Sequence, residues 1–167
     1  MAASSGYVLR AATPADTEAI FRLIKGLAEY ERLADRLTAT VDRLRRHLFG
    51  PRPFADVILA DVGAQSVGFA LFFHNYSTFL AAPGLYLEDL FVEPEYRGRG
   101  IGRALLQRVA QVAVQRGCGR LEWAVLDWNA PAIGFYVKQG ADVLPDWRIC
   151  RVTGQALQSL GGPAPRG

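Results

Sequence analysis

The sequence predicts a mixed α/β domain in which helices cover both faces of a central, mostly antiparallel sheet of six to seven strands. The first apolar runs follow one another in hairpin fashion, whereas the later runs alternate with helical patterns. Half of the 167 residues are hydrophobic and 21% are charged, which is typical of a domain with a sizeable core. We expect one domain over residues 1–160 and a disordered tail at 161–167.

The first half of the chain carries the hairpin-like part of this pattern. A short apolar run predicts a strand at 7–10, and Thr13, Pro14 and Asp16 then supply the cap and first-turn residues of a helix. Apolar residues at helical spacing continue that helix from Ile20 to Leu27. Further patterns predict a helix at 40–49 and strands at 57–60, 67–73 and 85–92.

The second half alternates helices with strands. The glycine-rich stretch from Gly98 to Gly102 leads into a long helix with one apolar face, which closes at Gly117. The remaining patterns predict a strand at 121–126, a helix at 129–139 and a last strand at 147–152.

Bulk properties exclude several classes of function. The net charge of +3 is too small to indicate a nucleic-acid partner. The chain starts without a basic region, and no segment has the roughly 20 apolar residues that span a bilayer, so we expect a cytoplasmic protein without a membrane anchor. Two distant cysteines, Cys118 and Cys150, and two isolated histidines, His47 and His74, indicate neither a disulfide framework nor a metal site.

The turn from Arg97 to Gly102 has the composition of a phosphate site. Backbone N–H groups and a helix N-terminus converge there with few side chains to block a ligand, and Arg97, Arg99 and Arg103 add positive charge. A multiply anionic group such as a pyrophosphate fits this turn. The sequence has neither the end of a P-loop nor the third glycine of a dinucleotide-binding turn. The alternative without a ligand is a flexible turn whose glycines only cap the helix.

Two adjacent carboxylates, Glu88 and Asp89, lie inside an apolar strand, where an unpartnered charge is costly. Successive strand residues point to opposite faces, so the two share one site only if a bulge redirects one of them. Alternatively, Asp89 caps a loop, pairs with an arginine or is solvated. A carboxylate beside a binding site can act as a general base; if the ligand is an amine with a pKa near 10.4, presenting it unprotonated at pH 7 costs about 4.6 kcal/mol and the carboxylate can accept its proton. We assign that role of general base to Glu88.

Tyr136 lies about two helical turns after Asn129, which is a cap residue followed by a first-turn proline. This spacing directs the phenol back toward the end of the sheet, where it can reach a ligand and donate a proton. A core or edge tyrosine is the bland alternative.

The segment Arg97-x-x-Gly100-x-Gly102 resembles the acetyl-coenzyme A loop of the GCN5-related N-acetyltransferase (GNAT) superfamily. The segment from Asn129 through Phe135 and Tyr136 to Gly140 and Ala141 resembles its late motif. The resemblance implies that the loop holds the coenzyme pyrophosphate, that Asn129 contacts the coenzyme and that Tyr136 protonates the leaving sulfur. The loop residues that take this role are Arg97, Gly98, Arg99, Gly100, Ile101 and Gly102.

Within that superfamily the chain resembles the diamine acetyltransferases, the spermidine/spermine and thialysine group, from about Tyr7 to Leu160. The resemblance implies that Glu88, Asp89 and Glu31 form the amine side of the site. It also implies that Leu90, Phe91 and Val92 line the pantetheine arm, and that two copies form a homodimer through the segment 147–152. The segments that carry it are Arg22–Lys25, Leu27–Glu31, Tyr86–Asp89, Phe91–Val92, Trp128–Asn129, Phe135–Tyr136, Gly140–Ala141 and Trp147–Arg148.

The sequence departs from the polyamine enzymes in the loop before the acidic strand. Where those enzymes carry an Asp and a Trp near the distal amine, this chain has Tyr76–Leu80. A site for a second cation would therefore lack one carboxylate. We expect a small substrate with one amine as much as a long polyamine. The predicted activity is direct acetyl transfer from acetyl-coenzyme A to a primary amine of a small molecule, without a metal. Two alternatives remain open, namely acetylation of a protein amine and a non-catalytic acyl-ligand sensor.

Overall fold

The computed structural model describes residues 6–162 and divides into two compact units, one ending at Ala124 and the other beginning at Val125. Short 3-10 turns lie at Pro14–Asp16, Ala34–Arg36 and Pro94–Tyr96. The helices and strands are β1 (Val8–Ala11), α1 (Thr17–Tyr30), α2 (Val41–Phe49), β2 (Asp56–Val62), β3 (Gln65–Ser77), β4 (Ala82–Val92), α3 (Ile101–Gln115), β5 (Leu121–Glu122), α4 (Ala130–Lys138) and α5 (Gly154–Leu160).

The first unit contains a five-stranded sheet in the order β1-β2-β3-β4-β5. The first three pairings are antiparallel, and only β4 and β5 run parallel. The β2–β3 hairpin closes at the pair Val62 and Gln65, with Gly63 in the left-handed conformation at φ 60°. The predicted mixed, mostly antiparallel sheet is therefore confirmed.

Side chains alternate along each strand, so the sheet has two buried faces, as predicted. One face packs under α1, and its cluster combines Ile20, Leu23 and Leu27 of the helix with Val57, Leu59, Phe69 and Phe91 of the sheet. The intervening residues Ile58, Ala60, Ala70 and Phe72 are also buried. They lie on the face of α3, whose Leu105 lies beside Gly68 and whose following residue Arg116 lies over the Phe72 ring.

The start of α1 follows from its sequence. Thr13 and Asp16 form a reciprocal capping box, in which the Asp16 carboxylate accepts from the Thr13 amide at 2.7 Å. Asp16 also pairs with Arg10 of β1 at 2.8 Å, and this contact holds the pKa of the Asp16 carboxyl well below its usual range. The cap and the first strand are therefore joined by one ion pair.

The expectation of about six to seven strands slightly overstates the sheet, which has five strands in the described residues. The strand predicted at 121–126 ends after Glu122, and residues 147–152 have an extended sequence pattern but form no strand. A strand needs a neighbour that accepts its backbone hydrogen bonds, and no described residue pairs with this segment. Trp147 and Ile149 are 79% and 69% exposed.

The other predicted elements form within a few residues of their expected limits, and α5 was not predicted. The single domain expected over residues 1–160 stays a prediction. Of the tail, residues 163–167 lie outside the described part of the chain. No helix between residues 6 and 162 is both long and apolar enough to cross a membrane.

Gly68 tests the close packing of the sheet against α3. A Cβ at this position would lie 2.9 Å from the Phe91 carbonyl oxygen and 3.2 Å from Val92 Cγ2, so β3 and β4 would have to separate. We expect Gly68→Ala to lower the free energy of unfolding by about 2 kcal/mol in a urea titration. Gly134→Ala is the matched control, because a Cβ there meets nothing within 4 Å. Equal stability of the two variants would contradict this packing.

Candidate active site

A β-bulge in β4 brings the predicted carboxylates together. Leu71 of β3 lies opposite Asp89 and Phe72 lies opposite Leu87, so Glu88 has no partner across the ladder. In a regular ladder Asp89 would share the α3 face with Phe72. The bulge moves Asp89 onto the α1 face, beside Leu71.

Glu31 completes this acidic cluster from the end of α1. It is the C-cap residue of that helix, and burial raises the pKa of its carboxyl. Burial, followed by the charges of Glu88 and Glu31, raises the pKa of Asp89 from 3.8 to about 7. Glu88 itself is exposed, whereas Asp89 and Glu31 are partly buried. The three carboxylates thus form an acidic cluster that attracts a cation, and within it the Asp89 carboxyl holds its proton more tightly than an isolated aspartate does.

The edge of β4 opens next to this cluster. The β4–β5 ladder consists of the pairs Leu85–Leu121 and Tyr86–Glu122, and β5 ends there while β4 continues to Val92. In the described part of the chain no β5 residue pairs with β4 beyond Tyr86. The segment Leu90–Val92, which we assigned to the pantetheine arm, therefore lies on an open strand edge.

The predicted phosphate turn follows β4 directly. Gly98 and Gly100 adopt left-handed φ values of 74° and 81°, and a Cβ on either would meet nothing within 4 Å. Between residues 6 and 162 the backbone N–H groups from Gly98 to Arg103 find no protein acceptor. Such a run of free donors at the N-terminus of α3 is suited to a diphosphate, and no side chain has to move to admit one.

The arginines of the turn differ in their surroundings. The Arg97 amide donates to the Pro94 carbonyl at 3.2 Å, and its Nε donates to the Val92 carbonyl at 2.9 Å. Arg99 lies over the Tyr96 ring at 5.1 Å. Arg103 is exposed in the first turn of α3. Of the three predicted cations, two make contacts within the first unit that the sequence did not predict.

Asn129 and Tyr136 belong to the second unit. The buried Asn129 caps α4 as predicted, since its side chain accepts from the Ala132 amide at 3.3 Å. Tyr136 lies in the last part of that helix, with its ring 5.2 Å from the Phe135 ring. The helix ends in a left-handed turn in which Gly140, at φ 91°, lets the Ala141 amide donate to the Tyr136 carbonyl.

Among residues 6–162 no group of three or more His, Cys, Asp or Glu side chains could hold a metal ion. Cys118 and Cys150 are free thiols. The sequence did not single out Tyr30, whose ring lies 4.6 Å from the Arg97 guanidinium carbon. An aromatic residue directly before Glu31 was the only signal for it in the sequence.

The Asp89 carboxyl gives a pH-dependent test of the cluster. Its pKa is about 7 when folded against 3.8 as the ordinary value, so the folded protein keeps a proton between these pH values that the unfolded chain loses. Asp89 therefore lowers stability progressively as pH rises through that window. We expect Asp89→Asn to be more stable than the wild type at pH 8, by up to about 4 kcal/mol, with the difference fading toward pH 4.

Urea titrations at a series of pH values measure this difference. Asp35→Asn removes an exposed carboxylate and controls for the change in net charge. A difference that does not vary between pH 4 and 8 would show that Asp89 is not in a shared acidic pocket.

Comparison with known proteins gives a consistent picture. The model of the Acetyltransferase (GNAT) family matches residues 19–141. The chain is 39% identical to a thialysine N-epsilon-acetyltransferase of Bos taurus, over 93% of this chain and 97% of the other. It is 36% identical to an L-ornithine N5-acetyltransferase of Arabidopsis thaliana, over 91% and 86%. An integron cassette protein from the mobile metagenome of V. cholerae shares the fold, with a TM-score of 0.79 at 24% identity over 93% and 97% of the two chains.

Proposed function

This chain belongs to the acetyltransferase (GNAT) family, and on that premise we propose that it transfers acetyl from acetyl-coenzyme A to the side-chain amine of a small cationic molecule. The observation that carries the choice of acceptor is the bulge at Glu88, which joins three carboxylates beside an open strand edge. Related acetyltransferases named for thialysine and ornithine support an amino-acid amine as the acceptor.

On the donor side, the open turn at Gly98 and Gly100 fits the coenzyme diphosphate. Its free N–H groups would hold the phosphates without rearrangement, and the Asn129 side chain is proposed to contact the coenzyme. The open edge of β4 at Leu90–Val92 would bind the amide-containing pantetheine arm as an added strand does. A backbone N–H of the bulged strand would then polarise the acetyl carbonyl.

On the acceptor side, the acidic cluster binds the amine as a cation, and Glu88 accepts its proton directly or through water. The amine nitrogen attacks the thioester carbon and a carbon–nitrogen bond forms. The nitrogen loses its second proton to water, and the carbon–sulfur bond breaks as the carbonyl is restored. Tyr136 is proposed to donate its proton to the departing thiolate and to recover one from solvent. No acyl-enzyme forms, so neither Cys118 nor Cys150 takes part.

We further propose a cytoplasmic homodimer that acts without a metal. Free thiols at Cys118 and Cys150 suit a reducing compartment. Apolar residues of the second unit that a partner copy could cover support dimerisation. They are Val143, Leu144, Trp147, Ile149 and Val152. Sedimentation equilibrium measures the stoichiometry.

A panel of amines assayed by thiol release tests the function. We expect turnover with thialysine, ornithine or another small cationic amine, and little with a lysine-containing peptide, because the carboxylate cluster recognises charge on a compact ligand. Turnover with peptides alone would favour protein acetylation. Coenzyme A binding without turnover of any amine would favour an acyl-ligand sensor.

Tyr136→Phe tests the proposed acid. We expect kcat to fall about a hundredfold, because the thiolate would leave unprotonated, while the affinity for coenzyme A stays within about twofold. Steady-state kinetics and calorimetry measure the two quantities. An unchanged kcat would remove Tyr136 from the mechanism, and a parallel loss of coenzyme affinity would indicate a binding role instead.

A further inference from the structure

The side chain of Arg97 connects the donor turn to the acceptor helix. Its Nε donates to the carbonyl of Val92, the last residue of β4, at 2.9 Å. Its guanidinium carbon lies 4.6 Å from the centre of the Tyr30 ring and 5.6 Å from that of Phe91. These are the distances of cation–π contacts, so the planar group is held between a carbonyl and two rings.

The contact with Tyr30 links Arg97 to a residue next to the acidic cluster. Tyr30 is the last residue of α1, and the next residue is Glu31, whose charge acts on Asp89. Phe91 lies two residues beyond Asp89 in β4 and faces Gly26 of α1, where a Cβ would be 3.0 Å from its ring. A continuous series of contacts thus runs from the donor turn, through Arg97 and Tyr30, to the acidic cluster.

We propose that Arg97 is a positioning residue that fixes the last turn of α1 against the donor turn, and so couples coenzyme binding to the placement of Glu31. The acceptor half of this inference rests on the proposed function. The Arg97 amide donates to Pro94, and its side chain to Val92 and the rings, so its contribution to coenzyme binding is to brace the turn whose N–H groups hold the diphosphate.

A direct phosphate ligand makes the opposite prediction. The Nε of Arg97 donates to the Val92 carbonyl, and its Nη groups could donate to a phosphate in addition. If Arg97 acts only as such a ligand and gains nothing from the ring, removing the Tyr30 ring leaves coenzyme affinity unchanged. If Arg97 instead positions the turn, removing the ring weakens coenzyme binding even though the side chain of Tyr30 contributes no charge to it.

A double-mutant cycle on the full chain distinguishes the two roles. The variants are Tyr30→Leu, Arg97→Lys and the double variant, and the measurement is the calorimetric Kd of coenzyme A. We expect each single change to weaken binding about fivefold, the magnitude of an exposed cation–π contact, and the double change to weaken it no more than either single one. Independent roles would give about 25-fold in the double variant.

Rescue and control variants separate positioning from a loss of folding. Tyr30→Phe keeps the ring and is expected to bind coenzyme A within about twofold of the wild type. Arg108→Lys changes an exposed arginine of α3 whose side chain donates to Gln111, and should leave binding unchanged. Melting temperatures identify any variant that is unfolded at the assay temperature. If Tyr30→Leu is unfolded, a second cycle uses Tyr30→Phe, Arg97→Lys and their double variant. Because Tyr30→Phe keeps the ring, we expect only the arginine change to weaken binding.

The outcomes also separate this inference from the proposed function. Additive effects, or wild-type affinity in Tyr30→Leu, would overturn the positioning role while leaving amine acetylation intact. Absence of amine turnover together with a non-additive cycle would overturn the acceptor assignment and keep the link between Arg97 and the donor turn. In active protein we expect Tyr30→Leu and Arg97→Lys to raise the KM for the amine as well as for acetyl-coenzyme A, with Tyr30→Phe restoring both.

Discussion

The bulge at Glu88 is the constraint from which the rest of the site follows. One unpaired residue between the Phe72–Leu87 and Leu71–Asp89 pairs changes which face every later side chain of β4 occupies. With it, Asp89 and Phe91 face α1, and Val92 packs toward α3. Without it, Asp89 would lie on the face of α3 instead of beside Leu71 on the face of α1. A local irregularity in the ladder therefore decides on which face of the sheet this carboxylate lies.

The acidic cluster destabilises the fold, and the apolar packing around it offsets this effect. Two partly buried carboxylates close to a third oppose folding, because burial and like charges both disfavour their ionised forms. The cluster of apolar residues between α1 and the sheet supplies the compensating stability. The same packing sets the position of Glu31, since Gly26 allows α1 to approach the Phe91 ring closely. Helix α1 therefore contributes to both the apolar core and the acidic cluster.

Features that depend on neighbouring residues could be predicted from the sequence, whereas contacts between distant residues could not. Periodicity and caps predicted α1, α3, α4 and the hairpins, and alternating glycines predicted the open turn at Gly98 and Gly100, because these features depend on neighbouring residues. The acidic pair raised the possibility of a bulge, but the register that locates it depends on β3, which is distant in sequence. The contact of Arg97 with Tyr30 joins residues 67 positions apart and left no local pattern.

The failed prediction at 147–152 has a different origin. Its residues favour a strand, yet propensity only states that a residue fits a sheet when a partner strand is available. Residues 6–162 provide none, so an apolar, strand-like segment remains exposed. Strand propensity is the same for a strand that pairs within its own chain and for one that pairs with another chain.

The raised pKa of Asp89 suits the proposed acceptor site. With a pKa of about 7, Asp89 keeps its proton at a higher pH than an ordinary aspartate does, and this reduces the repulsion among the neighbouring carboxylates. Under the proposed function, a cationic amine would favour the ionised form of Asp89 and displace its proton, whereas a neutral molecule of the same shape would not. Selectivity for charge would then arise from the coupling of ligand binding to ionisation. The exposed Glu88 is the carboxylate proposed to pass the amine proton to water.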